Sequence, residues 1–235
     1  MKKSSVLAAL ALAGASALPS LAYADVAFNA GVVSDYRYRG ISQSRLKPAL
    51  QGGVDYTAGG LYLGLWASTI KWVKDSGGDA KVEIDLYGGY KGEIVKDFSY
   101  DVGLLAYQYP SNKLAVSANT TEIYGALTYG PVTAKYSRST TNLFGFANSK
   151  GSGYLDISAT FDVAGFSVTP HLGRQTVKNN GGFSYTDGSL TVAKDIGNGV
   201  VLSVAAVDAK TGAYLGPAGK DLGKRSLVLG AKINF

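Results

Sequence analysis

The sequence predicts an all-β fold: a transmembrane up-and-down antiparallel β-barrel of about 12 strands. Three observations support this prediction. Apolar and polar residues alternate with period two along most of the chain, short Gly-rich connections alternate with long polar ones, and residues 226–235 form an apolar-faced segment that stops on an aromatic residue. Period two is the side-chain repeat of a β-strand, whereas a helix repeats every ~3.6 residues. A terminal strand with one apolar face needs a partner, so we expect it to close the sheet.

The chain begins with the features of a secretory signal peptide. Two lysines precede an apolar run, residues 6–18, which is followed by the Ala-Tyr-Ala pattern that ends at Ala24. The run is shorter than the ~20 apolar residues of a spanning helix, which favours cleavage over a membrane anchor. The predicted organisation is a signal peptide, residues 1–24, followed by one barrel domain, residues 25–235.

The composition suits a barrel and excludes several other classes of protein. The chain has 31 Gly and 16 Tyr residues, no Cys, and a hydrophobic content of 46%. Without cysteine there is no disulfide framework and no thiol chemistry. The formal charge of +6 falls to +4 without the two signal-peptide lysines. That mild excess gives no case for nucleic-acid binding, which needs basic residues clustered on one face.

The predicted strands are close to the ~9–11 residues that a tilted membrane strand requires. The first, residues 26–39, splits by parity into an apolar face that ends in aromatic residues and a face that carries the charges. The predicted strands cover residues 26–39, 49–57, 61–72, 81–87, 98–109, 122–129, 132–139, 154–161, 166–175, 187–194, 200–208 and 227–235.

The connections between these strands alternate in length. A membrane barrel has tight turns at one end and longer loops at the other. Here every long connection falls on one side of the predicted sheet, and both termini fall on the other. The tight connections are residues 58–60, 91–97, 130–131, 163–165 and 196–199, and the long ones are residues 40–48, 73–79, 110–119, 140–151, 177–183 and 209–225.

The periodicity alone does not tell the inner face from the outer one, because a water-soluble barrel would show the same alternation. About twelve strands enclose more space than one apolar face fills, whereas a polar interior holds water. Aromatic residues at the strand ends fit two girdles at the membrane surfaces. The predicted girdles contain Phe28, Tyr56, Phe98, Phe161, Phe166 and Phe235 on the short-turn side, and Tyr36, Tyr38 and Tyr136 on the loop side.

Four segments in the first half of the chain resemble a known family. They are residues 34–43 (SDYRYRGISQ), 48–56 (PALQGGVDY), 61–68 (LYLGLWAS) and 83–90 (EIDLYGGY). Together they resemble the TorF-type porin family of Gram-negative bacteria, most strongly over residues 26–109. The resemblance implies an outer-membrane barrel with no catalytic residues.

Charged residues on the predicted polar faces would line the lumen. A lumen with both signs of charge orients polar solutes, as in the eyelet of a channel. The alternative is that these charges pair and plug the barrel. The predicted pore-lining residues are Asp35, Arg37, Arg39, Asp55, Lys81, Glu83, Asp85, Asp101, Glu122, Lys135, Asp156 and Lys232.

The sequence therefore predicts a porin-like outer-membrane channel for small polar or charged solutes, and not an enzyme. One alternative is a barrel enzyme of the lipid hydrolase type. It would have to use His171, the single histidine, and no serine has a spacing that selects it as the nucleophile. The other alternative is a structural or adhesive barrel that binds through its exterior loops, residues 140–151 and 209–225.

No cofactor and no metal site are predicted. Asp75 and Asp79 on a Gly-rich turn supply far fewer than the ~6–8 oxygens that calcium takes. The expected partners are outer-membrane lipid, lipopolysaccharide, small solutes and the barrel insertion machinery, and no nucleic acid; the oligomeric state stays open. The terminal Phe235 resembles the last residue of other Gram-negative barrels, which implies that it serves as an assembly signal.

Overall fold

The computed structural model describes residues 24–235, so the predicted signal peptide lies outside it apart from Ala24. Within this range, 12 strands form one antiparallel sheet that closes on itself, which confirms the predicted fold class. The strands are β1 Ala24–Val33, β2 Ala49–Ala58, β3 Leu61–Thr69, β4 Val82–Val95, β5 Phe98–Gln108, β6 Thr120–Tyr129, β7 Val132–Ser139, β8 Gly153–Ala159 with its continuation Phe161–Val163, β9 Phe166–Thr176, β10 Tyr185–Gly197, β11 Val200–Lys210 and β12 Ser226–Asn234.

Each strand pairs with its neighbours in the chain, and β12 returns to pair with β1. In this closing seam, Asn29 lies opposite Asn234 and Val33 lies opposite Gly230. The seam extends to the last residue, because the backbone N–H of Phe28 donates to the carbonyl oxygen of Phe235 at 2.7 Å. Closure leaves no strand edge, as a sheet in lipid requires.

The connections alternate as predicted. Short turns join the strands at one end, and the long connections gather at the other end, opposite both termini of the described chain. The predicted turn over residues 91–97 shortens to residues 96–97, because β4 continues to Val95. The long connections are named loop 1 (residues 34–48), loop 2 (70–81), loop 3 (109–119), loop 4 (140–152), loop 5 (177–184) and loop 6 (211–225).

The loops contain short regular segments. Loop 1 has a small hairpin, in which Arg37–Tyr38 pairs with Ile41–Ser42. Loop 2 has one helical turn, Trp72–Asp75. In loop 6, Leu215–Gly216 pairs with Lys220–Asp221 around a 3₁₀ turn, and another 3₁₀ turn, Gly181–Phe183, lies in loop 5. Among residues 24–235, no helix has the length and apolarity to cross a membrane.

The apolar face of the sheet points outward. Leu227 is 72% exposed and Leu50 is 66% exposed, and exposed Leu, Val, Ile and Phe side chains continue around the other strands. Monomeric proteins in water rarely expose apolar patches larger than a few hundred Å². A band of this extent fits contact with lipid, so the structure supports the outward orientation that the strand number favoured.

The first strand is shorter than predicted, which corrects the interpretation of residues 34–39. β1 ends at Val33, and the chain then turns into the barrel. The hydroxyl groups of Tyr36 and Tyr38 reach Glu83 and Tyr107 in the interior. Tyr36 and Tyr38 therefore do not belong to an outer aromatic girdle.

Local side-chain hydrogen bonds explain where β1 ends. The carboxylate of Asp35 accepts a hydrogen bond from the Ser42 hydroxyl at 2.5 Å and from the Ser44 hydroxyl at 3.1 Å. The backbone N–H of Tyr36 donates to the Ser44 hydroxyl oxygen at 2.9 Å. Such short-range bonds to Asp and Ser side chains compete with strand pairing, and here they close loop 1.

We expect charge on the outer face to destabilise the barrel far more than charge on the inner face. Leu65 points outward at the middle of β3, so Leu65→Arg should lower the free energy of unfolding by about 2–4 kcal/mol in lipid. Thr191→Arg, on the inner face of β10, is the matched control and should change it little. Urea unfolding in lipid vesicles measures both variants. Equal destabilisation would contradict the lipid-facing assignment.

Candidate functional site

The interior of the barrel has two levels. Nearer the short turns, polar side chains project from the strands into the space that they enclose, which we call the lower lumen. Nearer the loops, loop 1 folds across the barrel and covers the interior, and we call this level the mouth. Asp156 in the lower lumen is 28% exposed at its side chain, whereas Glu122 beneath loop 1 is 2% exposed. Solvent therefore reaches the lower lumen more readily than the mouth.

Tyrosines of the lower lumen lie against glycines of the neighbouring strand. Tyr62 lies opposite Gly89, and Tyr124 lies opposite Gly103. A Cβ atom at Gly103 would lie 2.5 Å from the hydroxyl oxygen of Tyr124, so only glycine leaves room for that ring. Packing an aromatic ring over a glycine is a known way to stabilise a sheet. It also keeps these rings along the wall instead of across the lumen.

Hydrogen bonds join these tyrosines to carboxylates. The hydroxyl of Tyr62 donates to Asp101 at 2.6 Å and also contacts the hydroxyl of Tyr124. The hydroxyl of Tyr87, which lies opposite Gly64, donates to Asp55 at 2.5 Å. Each carboxylate is thereby held in a fixed position on the inner wall. A fixed charge acts on a passing solute more strongly than a mobile one.

Cations and anions alternate on the strands of the lower lumen. Lys135 on β7 lies directly opposite Asp156 on β8, and Ala126 alone separates it from Asp101 in the same row. The ammonium group of Lys135 lies 3.7 Å from the ring centroid of Tyr124, where a cation–π interaction holds it. Lys232 adds a cation on β12. This arrangement can orient a polar solute that carries either sign of charge.

Both ring nitrogens of His171 lie close to carboxylate groups. Its Nε2 atom lies 2.9 Å from Asp156 and 3.2 Å from the hydroxyl of Tyr154, and its Nδ1 atom lies 3.8 Å from Asp187. A hydrolase would need one ring nitrogen directed at a nucleophile. Both nitrogens of His171 face carboxylates, so the geometry gives no support to a Ser-His enzyme.

Loop 1 crosses the barrel and bonds to distant strands. The guanidinium group of Arg39 donates to Glu122 on β6 at 2.6 and 3.0 Å and to Gln175 on β9 at 2.8 Å. The hydroxyl of Tyr36 donates to Glu83 on β4 at 2.5 Å. Because β4, β6 and β9 lie on different sides of the wall, these bonds hold loop 1 inside the mouth.

Arg39 is the central anchor of loop 1. Its guanidinium carbon lies 4.2 Å from the ring centroid of Tyr154 and 4.8 Å from that of Tyr38, so rings flank the charge. Burial of the Arg39 guanidinium disfavours its charged form and lowers its pKa. The attraction of the adjacent Glu122 carboxylate is stronger than this effect, so the pKa of Arg39 lies well above its ordinary value. Removing one member of such a buried pair leaves an uncompensated charge.

A second set of contacts ties loop 1 to loop 6. Arg37 forms an ion pair with Asp35 at 2.5 Å and donates to the carbonyl oxygen of Leu222 at 2.9 Å.

Loop 1 also packs closely on the wall of the barrel. Gly40 has a φ of 79°, and a Cβ atom at this position would lie 2.6 Å from the Cβ of Asp187 on β10. Position 40 therefore requires glycine for both its conformation and its contact.

The structure separates the predicted pore-lining residues into groups. Those on the inner face of the lower lumen are Asp55, Asp101, Lys135, Asp156 and Lys232. Those in the mouth, covered by loop 1 or part of it, are Asp35, Arg37, Arg39, Glu83, Asp85 and Glu122. Lys81 differs from both groups, because it is exposed in loop 2, one residue before β4 begins.

Sequence reasoning missed several interior residues. Tyr62, Tyr124, Gln175 and Asp187 all make contacts inside the barrel. One signal could have found the tyrosines: each is an aromatic residue on the polar face of its strand, with a glycine on an adjacent strand. No periodicity marks loop 1 as an inward-folding segment.

A family profile covers the whole of the described chain. The family described as "Bacterial protein of unknown function (Gcw_chp)" matches residues 19–235. The chain belongs to this family. The description of this family names no type of porin. The resemblance to TorF-type porins therefore stays a prediction from the sequence. No curated protein matches the sequence.

Two solved porin structures share the fold of this Gcw_chp chain. One is described as the KdgM porin in complex with disordered oligogalacturonate; it has a TM-score of 0.54 and 8% identity, over 91% of this chain and 98% of that one. The other, the NanC porin, has a TM-score of 0.55 and 11% identity, over 90% of this chain and 99% of that one. At these identities the similarity concerns the fold alone.

We expect Arg39→Ala to release loop 1 from the mouth. The variant leaves Glu122 buried without its cation, a change that costs about 3–5 kcal/mol in comparable pairs. Amide hydrogen exchange of residues 36–43 should rise strongly, and Arg39→Ala combined with Glu122→Gln should recover part of the protection.

Arg45→Ala is the control for this experiment, because Arg45 lies in the same loop, but its side chain is 38% exposed, against 7% for Arg39, and its partner Asp75 belongs to loop 2 and not to a strand of the barrel. It should leave the exchange of residues 36–43 nearly unchanged. If Arg39→Ala and Arg45→Ala gave the same exchange, Arg39 would not be the anchor.

Proposed function

We propose that this protein is a porin-like channel of the outer membrane, through which small polar or charged solutes diffuse. The observation that carries the proposal is the combination of an apolar outer face with a partly exposed, charged inner face in a closed barrel. Similarity of fold to the KdgM and NanC porins supports the same assignment. In this proposal, residues 1–24 direct export and residues 25–235 form the barrel.

The lower lumen supplies the proposed pore lining. Asp55, Asp101, Lys135, Asp156 and Lys232 form a wall with both signs of charge, and tyrosines packed on glycines leave the centre of the barrel less crowded. An anionic solute can then interact with the lysines of this wall, a cationic solute with its aspartates, and a zwitterionic solute with both. No residue of this wall is proposed to react with the solute.

Loop 1 is the proposed constriction. It is held in the mouth by Arg39 and Tyr36, and its own ion pair, Asp35 with Arg37, is buried within it. Solutes would pass beside loop 1 or when its contacts open. A loop folded into the barrel sets the passage size by its position, since the strand number fixes only the outer wall.

Conductance in planar bilayers tests the channel directly. Refolded pure protein should give discrete conductance steps, and Arg39→Ala should give larger steps because loop 1 is less firmly held. Absence of steps from both the unaltered protein and the Arg39→Ala variant would refute the channel.

Lys135→Gln should shift the reversal potential in asymmetric salt toward cation selectivity. Lys150→Gln, in exposed loop 4, is the matched control and should shift it less.

The terminal aromatic residue is proposed to act in assembly and not in transport. The ring of Phe235 stacks on Phe28 with centroids 6.0 Å apart, and its backbone N–H donates to the carbonyl oxygen of Phe28 at 3.0 Å. It thus ends the closing seam at the short-turn end of the barrel. The insertion machinery and outer-membrane lipid, with lipopolysaccharide at the loops, are the proposed partners.

Deletion of Phe235 should lower the amount of inserted barrel severalfold without changing the unit conductance of barrels that insert. Heat-modifiable migration in membrane fractions measures insertion, and planar bilayers measure conductance. Phe161→Ala, which removes an exposed aromatic residue away from the seam, is the control and should affect insertion less. Normal insertion with altered conductance would contradict the assignment.

A further inference from the structure

A cavity of about 460 Å³ lies among the loops, on the side of loop 1 that faces away from the lower lumen. We call it the outer pocket. Loops 1 to 6 all contribute to its lining, so it exists only where the whole mouth is folded. Its volume falls in the range of small-molecule sites, which is roughly 300–1,000 Å³. The proposed channel function does not account for a pocket with aromatic walls at this place.

Aromatic rings form two walls of the outer pocket. In the first wall, Trp72 packs edge-on against Tyr109 at a centroid distance of 5.1 Å, and Tyr109 packs against Phe144 at 6.4 Å. In the second wall, Phe146 and Phe183 lie 4.6 Å apart. The first wall comes from loops 2 to 4, and the second comes from loops 4 and 5, so loop 4 joins them. Flat aromatic surfaces favour a flat ring as the occupant.

The walls are held in place before any ligand arrives. The side-chain amides of Asn179 and Asn180 in loop 5 donate to the backbone carbonyls of Asn148 and Ala147 in loop 4, each at 2.9 Å. The hydroxyl of Tyr214 in loop 6 donates to the carbonyl oxygen of Phe183 at 2.9 Å. A preformed site avoids much of the entropy loss that binding otherwise costs.

The charge and polar groups of the pocket select an uncharged occupant. Among the described residues that line it, Asp75 alone carries a charge, and Arg45 neutralises it through an ion pair. A charged ligand would lose its hydration against aromatic walls and find no free counter-charge in this lining. The site therefore disfavours both anions and cations.

The polar lining is also largely engaged, apart from the indole N–H of Trp72, which is buried without a hydrogen-bond partner. The amide of Gln175 accepts from Arg39 and donates to the carbonyl oxygen of Gly153, and the hydroxyl of Ser76 donates to the carbonyl oxygen of Trp72. A sugar has many hydroxyl groups that need partners when buried, and these residues have little capacity left for them. The lining therefore suits an aromatic ring with few polar groups better than a sugar.

We propose that the outer pocket binds neutral, ring-bearing aromatic small molecules at the loop end of the barrel. The site goes beyond the proposed channel, since binding needs the folded mouth and not conduction. An aromatic occupant would contact Phe146 and Tyr109, which both line the pocket.

Fluorescence of Trp72 provides the test, because the chain has only 2 tryptophans and Trp72 lines the pocket. In a Trp66→Phe background, Trp72 is the sole reporter. The full barrel, folded in detergent micelles, is titrated with benzamide, with its saturated analogue cyclohexanecarboxamide, with benzoate and with glucose. Benzamide should bind saturably and at least threefold more tightly than each of the other probes.

Variants of the second wall locate the binding. Phe146→Ala should weaken benzamide binding at least fivefold, and Phe183→Leu serves as a milder variant if Phe146→Ala does not fold. Tyr136→Ala removes an exposed aromatic residue on the outer face of β7 and should leave the affinity unchanged. Heat-modifiable migration verifies that each variant is a folded barrel.

Three outcomes would overturn the proposal. They are no saturable response to benzamide in the folded barrel, unchanged affinity in both wall variants, and tighter binding of benzoate or glucose than of benzamide. Because the titration is done in micelles, a barrel that fails to conduct still gives a result. Failure of this site and failure of the channel are thus distinguished.

Discussion

The absence of hydrogen-bonding water in lipid is the constraint on which the rest of this structure depends. Backbone N–H and carbonyl groups at the edge of an open sheet would have no partners there. The chain meets this constraint by pairing β12 with β1, and the pairing continues to Phe235, whose carbonyl oxygen accepts from Phe28. Once the sheet is closed, each strand must present one face to lipid and the other to the interior.

The polar inner face then creates a packing problem of its own. Twelve strands enclose a wide interior, and charged side chains within it need partners. In the lower lumen, Tyr62 and Tyr87 satisfy carboxylates while they lie against glycines of the next strand. In the mouth, Arg39 satisfies Glu122, but it reaches there only because loop 1 leaves the wall after Val33. Strand tyrosines therefore satisfy the carboxylates of the lower lumen, whereas an arginine from loop 1 satisfies the carboxylate in the mouth.

Loop 1 connects the lumen to the exterior surface. Its inner side bonds to strands β4, β6 and β9, and its backbone also supports loops 2 and 6, where Lys71 donates to Gln43 and Ser42 donates to Leu222. The outer pocket rests on this same segment. A single inward-folded loop thus provides the constriction of the proposed channel and one surface of the proposed aromatic site, so a change in its position would affect both.

The sequence by itself determined most strand positions, the division of each strand into an apolar and a polar face, and the arrangement of long loops at one end, because period-two alternation and turn composition are local properties. Strand β7, for example, was predicted at its observed bounds, residues 132–139. It also placed Asp55, Asp101 and Lys135 on the polar face by parity. The outward direction of the apolar face was inferred from the number of strands and not from the alternation. Only the tertiary structure decided that β1 stops at Val33, since Tyr36 and Arg39 find partners on strands far away in the chain. Alternation is inverted only at Val33 and Ser34 and resumes at once with Asp35 and Tyr36, so the sequence pattern gives little sign of a strand end there. Long-range contacts have no periodic signature.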